Sequence, residues 1–146
     1  MAEAVTTITK LLVVREIQED ESGATLIFQN SCHGQLGLHD PNYALHLRLA
    51  RRSQERQHPI GVSFGERHAI AELNRADNDV PTEISDENSH FVQVLFQGHD
   101  GVFRLKSDHP EATRLRSLLE AALRQKGQLW FIAQHPDLTL VDVQPC

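Results

Sequence analysis

Ser63 lies within Gly61-Val62-Ser63-Phe64-Gly65, the G-x-S-x-G spacing of a nucleophile elbow. Such an elbow lifts the serine hydroxyl on a sharp strand-to-helix turn, towards a histidine base that an acid orients. Acids and histidines follow in the required chain order: Asp77, Asp79 or Asp86, then His90, His99 or His109. The surroundings argue the other way. The strand before Ser63 begins at Pro59, and no clear helix follows it. The sheet that carries an elbow also needs parallel strands joined by crossover helices. The expectation is therefore a half-buried strand with Ser63 facing solvent; a small serine hydrolase is the alternative.

Arg48, Arg51, Arg52 and Arg56, set against Glu55 alone, are the residues expected to hold a ligand. Beside a β surface, such a cluster suits phosphate, as in strand-based nucleic-acid modules. Those modules also stack bases on aromatic rings, and the only aromatics nearby are Tyr43 and a core-facing Phe64. Pairing with the acidic segment 77–89 is the simpler expectation, and nucleic acid is not an expected partner.

Nine histidines invite a metal reading. Strand-built sites use pairs two residues apart on one face, however, and the chain has neither H-x-H nor HExxH. His33, His39 and His46 with Cys32 or Asp40 would have to converge through the fold. Asp77-Asn78-Asp79 starts like a calcium loop but lacks the glycine and closing glutamate of that pattern. No metal and no cofactor is expected.

The totals set the class. With 146 residues, 40% hydrophobic and 23% charged, the chain is long enough to bury a core without staples, and one domain over 1–146 is expected. No apolar run spans a membrane. A net charge of −6 opposes non-specific binding to phosphate backbones. Residues 1–10 lack the basic start and apolar block of a signal peptide. Cys32 and Cys146 have no CxxC context, so free thiols in a reducing cytosol are expected.

The clearest element is a helix over 109–126. Ala112, Leu115, Leu118, Leu119, Ala122 and Leu123 form one stripe, Asp108 with Glu111 resembles a capping box, and Gly127 offers a stop. Leu129–Gln134 and Leu138–Val143 then read as a hairpin turning at His135-Pro136-Asp137, with Asp142 facing water. Upstream, Thr6–Ile17, Ala24–Gln29, Cys32–His39, Pro59–Phe64 and Phe91–Lys106 read as strands or hairpins. Tyr43–Ala50 alternates Leu45, Leu47 and Leu49 with His46 and Arg48, which predicts a strand. Segment 66–76 leans to strand, and 77–89, with five acids and Pro81, reads as a loop. No internal repeat is legible.

The expected fold is α+β and mainly antiparallel β: a barrel- or sandwich-like sheet, one amphipathic helix near the C-terminus, then a β-hairpin. The expected role is that of a non-catalytic binding or assembly module in the cytoplasm. Its expected partner is another protein or a second copy of the chain, not a membrane.

Overall fold

The computed structural model describes residues 8–134 and 137–145. The chain divides into two compact units, Met1–Arg75 and Ala76–Cys146. The first unit holds strands β1 (Ile8–Leu12), β2 (Val14–Asp20), β3 (Gly23–Phe28) and β4 (His33–Gly37). Helix α1 (Tyr43–Arg56) follows, then β5 (Ile60–Phe64) and β6 (Ile70–Arg75). The second holds β7 (Asp77–Asp79), β8 (Pro81–Asp86), β9 (Phe91–Phe96), β10 (Phe103–Lys106), helix α2 (Ala112–Gln125), β11 (Leu129–Gln134) and β12 (Thr139–Pro145). The protein is thus mostly antiparallel β with two helices, and its sheets do not close into a barrel.

Each unit runs through four strands, a helix and two strands, and the two agree in register. The second sheet is ordered β7-β11-β12-β10-β9-β8; the first has β1-β5-β6 and β2-β3-β4. A parallel bridge, Gln35 to Ala69, links β4 to β6 where Arg104 to Thr139 links β10 to β12. Ile60 faces Leu12 and Arg75, as Leu129 faces Asp79 and Pro145. Bulges fall at Ser63/Phe64 and at Ile132/Ala133, and again at Val14/Glu16 and at Pro81/Glu83. The chain is a structural repeat. A slip of one residue would turn every core side chain outwards, so matched registers are a demanding likeness.

Sequence identity hides this. Matched residues coincide at positions such as Ile17/Ile84, Phe28/Phe96, Leu36/Leu105, Pro41/Pro110 and Leu49/Leu118, but most others differ. What persists is burial. In place of one core there are two clusters: Val14, Leu26, Phe28, Leu36, Val62 and their neighbours in the first unit, and Val94, Phe96, Leu105, Leu119, Phe131 and theirs in the second. In each, the helix covers one face of the sheet.

Helix α1 corrects the strand expected over Tyr43–Ala50. Its buried residues are His46, Leu47, Ala50 and Ser53, a helical stripe, whereas Leu45 is 54% exposed. The alternating leucines fit a period of two only by coincidence. A run rich in Leu, Ala, Arg, Gln and Glu favours a helix intrinsically.

Both helices start from the same turn. Asp40 N–H donates to Gly37 O (3.1 Å) and Tyr43 N–H to Asp40 O (3.0 Å), as His109 N–H does to Lys106 O (3.1 Å) and Ala112 N–H to His109 O (3.0 Å). The Asp40 carboxylate accepts Asn42 N–H at 2.7 Å, and His109 Nδ1 accepts Glu111 N–H at 2.9 Å. His109, not Asp108, therefore organises the entry to α2, and no side chain caps the helix at Glu111. Both helices end on a left-handed residue, Gln57 and Lys126; the stop is Lys126 rather than Gly127.

Three further expectations change. Residues 77–89 are not a loop: β7 pairs with β11 and β8 with β9. Asp142 is buried, not solvent-facing, and lies 3.3 Å from Arg114. The predicted turn at 135–137 lies partly outside the described residues. The expected strands over 60–64 and 70–75, and the hairpin β9–β10, stand as read.

Candidate functional site: a basic ridge on the first helix

Because 43–56 is helical, Arg48, Arg52 and Arg56 fall four residues apart on a single ridge, about 6 Å apart along the axis. All three are exposed, on the side of α1 opposite His46, Ala50 and Ser53. Arg51 stands on the flank and pairs with Glu19 on β2 at 2.9 Å. Arg48, Arg52 and Arg56 have no carboxylate partner among the described residues, and Glu55 pairs with none of them. Like charges four residues apart each cost a helix about 0.2–0.5 kcal/mol. Arg56 recovers part of that from the helix dipole, since it lies in the last turn. Ala44, Leu47, Arg48, Arg51, Arg52 and Glu55 line a shallow open groove along this face.

The second unit treats its arginines differently. Arg116 lies 2.8 Å from both Asp86 and Glu120, and Arg114 lies 3.1 Å from Glu111 and 3.3 Å from Asp142. The hydrogen bonds to Asp86 and Glu120 hold the Arg116 guanidinium above its ordinary range. The same contact with Arg116 holds the Asp86 carboxyl low. Glu120 occupies the helix position matched by Arg51, and Asp86 the strand position matched by Glu19. One helix neutralises its charge within the unit and the other displays it. The acidic segment 77–89, expected to partner the arginines of α1, instead engages His99, Arg104 and Arg116.

A second polar cluster sits at the β9–β10 turn. Asp79 is buried and accepts Val80 N–H (2.7 Å) and Gly98 N–H (2.8 Å), and His99 Nδ1 lies 2.5 Å from its carboxylate. Burial alone would raise the Asp79 pKa, but the bonds from His99, Val80 and Gly98 hold it below the usual carboxylate range. The His99 ring meets Phe96, Phe103 and Phe131 edge-on. Two of the acid and base candidates named with Ser63 therefore do come together. In the first unit the position matched to Asp79 is Leu12.

Ser63 itself is buried rather than solvent-facing. It lies inside β5, between β1 and β6, and shares a 2.8 Å hydrogen bond with Thr9. That is a mid-strand setting, not a strand-to-helix turn. Its counterpart in the second unit is Ile132. Of the other candidates, His90 is exposed, and His109 donates from Nε2 to Val141 O at 2.8 Å, which fixes its tautomer. His46 Nδ1 lies 3.5 Å from Asp40, and His33 stacks on His68. Among the described residues no group of three or more His, Cys, Asp or Glu side chains is placed to hold a metal ion. None of their helices is long and apolar enough to cross a membrane.

Sequence reasoning named the four arginines but not their alignment, and it missed Leu45, which lies one turn before Arg48 on the same exposed side. The helix propensity of 43–56 was the available signal. Set against family models, curated proteins and solved structures, the chain matches none.

Proposed function

We propose that the protein is a non-catalytic binding module of the cytosol, whose ligand surface is the outward ridge of α1 and whose ligand is an anionic group on a protein partner. The observation that carries this reading is the contrast between the helices: Arg48, Arg52 and Arg56 stand unpaired on one ridge, while Arg114 and Arg116 are neutralised inside their own unit. A helix that bears uncompensated like charges gains when a partner supplies the counter-charges. The hydrolase alternative has less behind it, because Ser63 is held by Thr9 in mid-strand.

Calorimetric titration with poly-glutamate at about 0.01 M and about 0.15 M salt tests the reading, since the Debye length falls from about 30 Å to about 8 Å between them. Binding that weakens with salt and is lost in Arg48→Glu/Arg52→Glu is expected. Absence of binding at low salt, or binding indifferent to the substitutions, rejects it.

A further inference from the structure

We infer that the occupant of the α1 ridge is an acidic, amphipathic polypeptide segment with carboxylates about 6 Å apart and an apolar side chain one turn before the first, a step that rests on the anionic-ligand reading above. Leu45 is among the largest exposed hydrophobics, at 54%, and it begins the row that continues through Arg48, Arg52 and Arg56. Leu49, one turn on from Leu45, is half-buried, and Ala44 beside it is exposed, so apolar surface adjoins the charged row at its N-terminal end only.

The row is therefore polar in sense: an apolar seat first, then three fixed cations. Glutamates four residues apart on a helix match the cation spacing, and a leucine or aromatic one turn earlier fills the seat. Guanidinium groups favour carboxylates through paired N–H donors. A polynucleotide would meet the same cations, but it would find no stacking ring on this ridge, since Tyr43 packs against the core. It would also approach a chain of net charge −6.

Fluorescence anisotropy on the full chain decides the matter. The probes are a labelled peptide with glutamates at four-residue spacing and a leucine one turn before the first, a scrambled peptide of the same composition, and a single-stranded oligonucleotide. The patterned peptide is expected to bind about tenfold tighter than the scrambled one. Leu45→Ser, an exposed change that circular dichroism should show folded, is expected to erase that preference without altering binding of the scrambled peptide. Equal binding of the two peptides overturns the inference and leaves the anionic-ligand reading standing. Tighter binding of the oligonucleotide overturns it in favour of nucleic acid. Self-association abolished by Arg48→Glu, with no peptide binding, overturns it in favour of a second copy. If no anion binds at low salt, both fall.

Discussion

His99 Nδ1 lies 2.5 Å from the buried Asp79 carboxylate, so one ion pair ties the β7–β8 corner to the β9–β10 turn. Asp79 has a depressed pKa in the folded protein, so its stabilisation is complete above the unfolded value of about 3.9 and is lost as pH falls through the lower folded value. Asp79→Asn should lower stability at neutral pH and flatten the acid limb below about pH 5. Urea melts across that range would read it. An unchanged acid limb would assign the effect to other carboxylates.

The two cores differ by an exchange of bulk. Gly34 and Phe64 stand in the first unit where Phe103 and Ala133 stand in the second. Each phenylalanine reaches the same partner position edge-on: Phe64 meets Phe28 at 6.1 Å, and Phe103 meets Phe96 at 5.1 Å. A Cβ on Gly34 would lie 2.7 Å from Ile70 Cγ1 and 3.0 Å from Phe64 Cε1. Gly34→Ala should therefore cost about 1–3 kcal/mol by overpacking. Combined with Phe64→Ala, the loss should be smaller than the sum by about 0.5 kcal/mol or more, as a double-mutant cycle would measure.

Leu115 and Leu119 are fully buried under α2, whereas Arg124 is exposed. Leu119→Ala should cost about 2–5 kcal/mol and Arg124→Ala no more than about 0.5 kcal/mol. The entry turn adds a sharper contrast. Asp108→Ala should be nearly silent, while His109→Ala, which removes bonds to Glu111 N–H and Val141 O, should cost about 1 kcal/mol or more. Equal effects of the two would place the entry bond elsewhere.

Ser63→Ala removes the bond to Thr9 and should cost about 1 kcal/mol. A fluorophosphonate probe should leave the protein unlabelled. Labelling lost in Ser63→Ala would overturn the non-catalytic reading.

What the sequence determined by itself was local. Leucines at three- and four-residue spacing specify α2 because the stripe is complete within the helix. Alternation specifies β9, buried at every second residue, because period two needs no knowledge of the partner strand. Tertiary structure decided the rest. The stripe of α1 contains His46 and Ser53, and its most conspicuous leucine, Leu45, faces out, so hydrophobicity alone pointed to the wrong period. Residues 77–86 carry acids and a proline, and they become strands because β11 and β9 pair with them. The repeat is invisible for the same reason: a matched register constrains which positions are buried and how bulk is shared, as between Gly34 with Phe64 and Phe103 with Ala133, and leaves the identities free. The four arginines were legible as a cluster, but their spacing became a ridge only once the backbone between them was helical.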